Sequence, residues 1–169
     1  MKKFLGLLVS LLVTAACVFA ADPVEGYWVS VDDKTGEVTA GWKIWQEGGQ
    51  LYGTILSAAN QKKDEVAFGA KGKKTPDDFP QKGELSQMKV VGTYWIYGLK
   101  NKGEGKWRSG NIVDPSNGTK YGCEITFHGA DGKKYKTDTP EMKGKVGPIG
   151  RSQYWRKSTE AEASSLSID

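Results

Sequence analysis

From Tyr121 to His128 the chain alternates without interruption between two kinds of side chain. Tyr121, Cys123, Ile125 and Phe127 fall on one side of an extended backbone; Gly122, Glu124, Thr126 and His128 fall on the other. A period of two marks a strand with one face buried and one face wet. Val38, Ala40, Trp42 and Ile44 form a second such row, and Leu51, Gly53 and Ile55 a third after the Gly48-Gly49 turn. Asn117-Gly118 and Asp131-Gly132 punctuate the chain in the same way. Short apolar runs broken by turn pairs predict a sandwich or a barrel. Strands are predicted over 26–31, 38–46, 51–57, 87–99, 106–113, 119–128, 133–138, 141–146 and 152–157. The 87–99 run is apolar on both faces, which predicts a strand covered on both sides. No helical period of useful length competes.

The ends read differently. Lys2 and Lys3 precede an apolar run from Phe4 to Val13, and Val18-Phe19-Ala20 before Ala21 has the small-x-small pattern of a secretory cleavage site. Residues 1–20 are therefore read as a signal peptide cut between Ala20 and Ala21. The run is short for a bilayer span, and no later segment approaches spanning length. Thr14-Ala15-Ala16-Cys17 offers a relaxed lipobox as the competing cleavage, with a lipid anchor on Cys17. Residues 21–157 are read as one β-domain. Within it, 58–85 forms a long lysine-rich connection, either a lid over one barrel mouth or a solvated insert. The Ser-, Glu- and Ala-rich residues 158–169 predict a disordered tail.

Composition narrows the chemistry. Losing Lys2 and Lys3 leaves 22 Lys plus Arg against 20 Asp plus Glu. So balanced a charge, with no clustered basic face, argues against nucleic acid. Cleavage at Ala20 leaves Cys123 as the single cysteine, so no internal disulfide forms and the core alone holds the fold. His128 is the single histidine. It points away from Cys123, five positions earlier on the same strand, so a nucleophile–base pair between them is not expected. One His and one Cys cannot make an ordinary zinc site, and Asp32-Asp33-Lys34-Thr35-Gly36 lacks the spacing of a calcium loop. No cofactor, metal or catalytic residue is assigned, and the chain is read as a non-enzyme.

Three further stretches resemble a bacterial secreted family catalogued as a domain of unknown function, number twenty-one forty-seven, whose members adopt a lipocalin-like barrel. They are Asp22 to Trp28, Asp114 to Cys123, and Gly147 with Gly150 to Arg156; the hairpin from Ile44 to Ile55 also fits. The resemblance implies an all-β fold: a single antiparallel up-and-down barrel of about eight to nine strands, lipocalin-like. Gly26-Tyr27-Trp28 resembles the Gly-x-Trp that opens lipocalins. That implies that Trp28 plugs the closed end, with an arginine of the last strand across the indole: Arg151 first, Arg156 second.

Six Trp and seven Tyr lie almost entirely in the predicted strands, where they either fill a barrel or line a pocket. The leading expectation is a periplasmic or secreted carrier or sensor holding a small apolar molecule. Its inward candidates are Trp42, Ile44, Ile55, Tyr94, Ile96, Trp107, Tyr121, Cys123 and Ile125. The alternatives are a filled barrel that binds an envelope protein by its outer surface and an unrecognised hydrolase of cell-wall material; for location, the alternative is an envelope lipoprotein.

Overall fold

The structure, a computed structural model, describes residues 21–168. The expected signal peptide, with Cys17 and Ala20, lies outside the described residues. Eight strands run as an antiparallel meander: β1 (Gly26–Val31), β2 (Val38–Glu47), β3 (Gln50–Ala58), β4 (Ile96–Asn101), β5 (Lys106–Val113), β6 (Lys120–His128), β7 (Thr139–Val146) and β8 (Ile149–Tyr154). A two-residue β9 (Arg156–Lys157) then continues β8 and pairs with β1, Trp28 opposite Lys157 and Val29 opposite Arg156. One stretch of chain thus serves β7 with its first part and β1 with its last, and the sheet curls into a nearly closed barrel. The all-β, up-and-down expectation holds, with nine strands.

The two ends are built differently. At the end holding the β2–β3, β4–β5 and β6–β7 connections, the interior is packed solid. Trp28, Trp107, Leu51, Leu99, Ile96 and Ile125 are all at most 1% exposed there. Trp28 donates its indole N–H to the Val24 carbonyl at 2.8 Å and meets Phe127 edge-on at 6.4 Å. The residues before β1 are tied down as well: Asp22 accepts from the backbone N–H of Val24 and of Gly105, both at 3.0 Å. The opposite end carries the β1–β2, β3–β4, β5–β6 and β7–β8 connections.

Three sequence expectations need correction here. The run 87–99 is a strand only from Ile96 onward. Its apolar residues serve a loop: Val90 and Trp95 are buried, and the Trp95 indole donates to the Val90 carbonyl at 2.7 Å. Residues 133–138 form no strand. The Asp131 carboxylate captures the backbone N–H groups of Lys133 and Tyr135 at 2.8 and 2.9 Å, and Gly132 has φ +70°, so a turn wins over the ladder. The tail is ordered as far as Ile168. Thr159 and Glu162 form a capping box that starts α1 (Glu160–Ala163). This turn lies on the outer face of β2 and β3. The Ser57 hydroxyl donates to the Ala163 carbonyl at 2.6 Å, and the Leu166 N–H donates to Ser57 Oγ at 3.0 Å. Gly41 makes room for the contact: a Cβ there would sit 1.9 Å from the Ala163 carbonyl oxygen.

The long connection is ordered too. Phe79 is 2% exposed and meets Tyr97 edge-on at 5.1 Å, while Ala70 and Leu85 are buried beside the β5–β6 turn. Asp78 fixes the segment to the wall. It accepts from Tyr97 Oη at 3.2 Å, from Asn111 Nδ2 at 3.0 Å and from Lys120 Nζ at 2.9 Å. Partial burial raises the Asp78 carboxyl, but the Lys120 ammonium and the tyrosine hydroxyl override it and hold the group below its ordinary value. Tyr97 is pushed well above its ordinary value, first by burial and then by the Asp78 charge.

Candidate functional site

At the end opposite Trp28 the interior is not filled. A cavity of about 480 Å³ opens there. Alternation on β1 and β2 brings Ser30, Ala40 and Trp42 inward, and β3 adds Ile55 and Ala58. Val90 and Gln61 come from the chain between β3 and β4, Ile112 and Val113 from β5, Tyr121 from β6, Met142 and Gly144 from β7, and Arg151 and Gln153 from β8. Trp42 stacks on Trp155 at 4.9 Å, which joins this wall to the packed half below. The space exists because several inward positions carry small side chains: Ser30, Ala40, Ala58 and Gly144. Of the chain between β3 and β4, only Gln61 and Val90 reach the cavity wall. Phe79, Ala70 and Leu85 pack against the flank and the β5–β6 turn, so the segment is a buttress beside the mouth more than a lid across it.

The wall is mostly apolar, with a few polar groups near the rim. The Ser30 hydroxyl is shared with Thr39 Oγ1 at 2.8 Å and accepts from Trp42 Nε1 at 3.1 Å. Gln61 Oε1 is shielded from solvent and has no hydrogen-bond partner among the described residues. Asp114 is the one carboxylate in the wall, and its oxygens accept from Ser116 and Asn117 within the β5–β6 turn. Arg151 is the one cationic side chain in the wall, and its Nη2 donates to Asp33 Oδ2 at 2.9 Å.

The nine inward candidates separate into three groups. Trp42, Ile55 and Tyr121 line the cavity. Ile44, Ile96, Trp107, Cys123 and Ile125 are buried, but in the packed part of the interior. Tyr94 is not inside at all: it lies against Trp45 at 4.9 Å and Tyr52 at 5.8 Å in an aromatic cluster on the outer wall. Its neighbours Thr93 and Trp95 carry the burial, because the backbone there is not the regular strand that alternation requires.

The expected plug is half corrected. Trp28 is fully buried at the closed end, but Arg151 is at the other end of the barrel, on Asp33, and its side chain is 70% exposed. The cation over the indole is Lys157, with Nζ 4.2 Å from the ring centroid. Arg156, the second candidate, points outward and is exposed. The reason is register: Lys157 is the residue that β9 sets opposite Trp28.

Cys123 and His128 sit apart, as their opposite parity requires. Cys123 Sγ lies 3.1 Å from Met142 Sδ, and burial, with the Glu124 charge second, pushes its thiol far above its ordinary value. Buried at 1% exposure, it lacks the access that a reactive thiol needs. His128 Nε2 is 2.9 Å from Glu141 Oε2 on the outer wall, and Ser152 donates to Glu141 Oε1 at 2.6 Å. The carboxylate stands between the hydroxyl and the imidazole, so the hydroxyl is not held by a base in the manner of an activated serine. The Ser152 hydrogen bond, with His128 second, holds Glu141 below its ordinary value. Among the described residues no group of three or more His, Cys, Asp or Glu is placed to hold a metal ion.

Comparison with known proteins bears on this arrangement. The family model described as an uncharacterized protein conserved in bacteria (DUF2147) matches residues 26–157. Among solved structures the chain is similar to protein HP1028 of the human pathogen Helicobacter pylori, described as belonging to the lipocalin family. The TM-score is 0.56 and the identity 14%, over 84% of this chain and 87% of that one. At that identity the likeness is one of fold. No curated protein matches the chain in sequence.

Proposed function

The chain belongs to the DUF2147 family of uncharacterized bacterial proteins, and we propose that it is an exported carrier or sensor that holds a small, largely apolar ligand in the open half of its barrel. The observation that carries this reading is the contrast within one interior. Four tryptophans are packed at no more than 2% exposure, yet about 480 Å³ beside them is left unfilled behind a mostly apolar wall. A folded core closes such space unless the space has a use, because unfilled volume forfeits dispersion contacts. Binding would follow from removing ligand surface from water, about 25 cal/mol per Å² before the costs of association. Tyr121, Gln61 and Gln153 supply the polar groups that orient a ligand. Export, with cleavage between Ala20 and Ala21 in preference to lipidation of Cys17, belongs to the same reading.

Titration with the uncharged fluorophore N-phenyl-1-naphthylamine tests it. Saturable enhancement is expected, and Ala40→Phe, which fills the cavity from β2, should abolish it while the far-ultraviolet circular dichroism stays that of a β-barrel. Equal binding by the filled variant would place the fluorophore elsewhere and remove the support for a carrier. Mass spectrometry of small molecules co-purifying with protein from its own compartment then identifies the occupant.

The envelope-protein module keeps one observation of its own. Val146 and Ile149, at the tip of the β7–β8 hairpin, are 62% and 77% exposed. If they seat a protein partner, Val146→Ser with Ile149→Ser should abolish co-purification of that partner and leave fluorophore binding intact.

A further inference from the structure

The barrel wall has one stretch without a ladder. β9 pairs with β1 at Trp28 and Val29 and no further. Continuing that register would set Ser30 against Trp155, Val31 against Tyr154 and Asp33 against Ser152, but none of these is a strand pair. The first part of β8 bonds only to β7, and the Ser30 hydroxyl turns back to Thr39 and the Ala40 carbonyl instead of reaching across. The cavity lies behind this gap. Ser30, Thr39 and Ala40 line it on one flank, and Gly144, Arg151 and Gln153 on the other. What spans the gap is a side-chain contact, Arg151 Nη2 to Asp33 Oδ2.

We propose that this gap is the ligand's entrance and that Arg151 is the site for an anionic headgroup, so that the cavity takes a carboxylate amphiphile, tail inward and head on the guanidinium. The proposal rests on the carrier reading and narrows its ligand. Arg151 is the one cation among the lining residues, and only one of its N–H groups is engaged among the described residues. The remaining edge of the fork matches the two oxygens of a carboxylate. The wall behind it offers the head no competing cation, and the carboxylate in that wall, Asp114, is already occupied by its own turn. Asp33 holds the guanidinium at the rim before a ligand arrives and competes with the headgroup for it, which makes the contact a latch across the entrance.

Calorimetric titration of the purified protein with decanoate, decanol and decyltrimethylammonium tests this. Decanoate is expected to bind about threefold more tightly than decanol, the size of a charge-assisted contact at a mostly exposed side chain, and the cation more weakly than either. Arg151→Gln should lower decanoate affinity by about threefold and leave decanol unchanged, with Arg151→Lys in between. Asp33→Asn should strengthen decanoate, because it releases the guanidinium. Equal affinities for decanoate and decanol, or an Arg151→Gln variant that weakens both alike, would overturn the headgroup site and leave the cavity reading standing. Failure of all three amphiphiles to bind would overturn both.

Discussion

The two halves of the barrel interior are made from the same strands and do opposite things. Below, β1, β5 and β6 contribute Trp28, Trp107 and Ile125, and the space is closed. Above, the same three strands contribute Ser30, Val113 and Tyr121, and the space stays open. β1 passes from plug to cavity within three residues, Trp28 to Ser30, by changing the size of alternate side chains while its backbone continues. On the carrier reading, stability and binding are thus written at different heights of the same wall, and substitutions should separate them.

The largest effect is expected at the plug. Trp28→Ala removes a fully buried indole and its hydrogen bond to Val24, and should cost about 3–5 kcal/mol in denaturant melts. Next comes a matched pair. Ile125 and Ile55 are 1% and 3% exposed, but only Ile55 borders the cavity. Ile125→Ala should cost about 4 kcal/mol and leave N-phenyl-1-naphthylamine binding alone. Ile55→Ala should cost about 2 kcal/mol, because it enlarges an existing void, and should change the affinity. Equal costs and equal affinities would mean that the two halves are not distinct.

Smaller again is the cation over the indole. Lys157→Ala should cost about 0.5–1 kcal/mol, and that cost should vanish in a Trp28→Leu background. Arg151→Ala should show no coupling to Trp28, since the two residues stand at opposite ends. The smallest effect concerns the long connection. The Asp78 carboxyl is held below its usual 3.8, so the stability it lends is complete above that pH and is lost as pH falls through the lower, folded-state value. Hydrogen exchange in the connection should accelerate in that acid window in the native protein. In Lys120→Met the same acceleration should begin at higher pH.

The sequence predicted the wall better than the void. Strands such as Lys106–Val113 and Lys120–His128 were legible because one buried face enforces a period of two. The stretch before Ile96 misled because Val90 and Trp95 are apolar to pack a rim loop, not to fill a sheet. The tail misled because its composition is polar, although its contacts are made by backbone, small residues and the Thr159–Glu162 box, which was there to be read. The cavity was half seen for a physical reason. A search for large inward aromatics finds what fills a barrel, whereas an opening is made by the small residues opposite them, Ser30, Ala40 and Gly144. The exchange of Arg151 for Lys157 turned on a register that only the closed ring defines.

The ring is closed by partners from opposite ends of the folded chain, and this sets the order in which the molecule can assemble. Every other ladder joins strands that are neighbours in order, all but β3–β4 across a short turn or loop, but Trp28 and Val29 must wait for Arg156 and Lys157. Closure over so long a loop carries the largest entropic cost of any ladder here, which makes it the most non-local contact of the fold. A chain cut after Tyr154 would keep its meander but lose β9, Trp155 and the α1 turn, and Trp28 and Val29 would join the bare edge, able to recruit a strand from another copy. Two residues at the end of the last strand therefore cover part of an otherwise bare β1 edge.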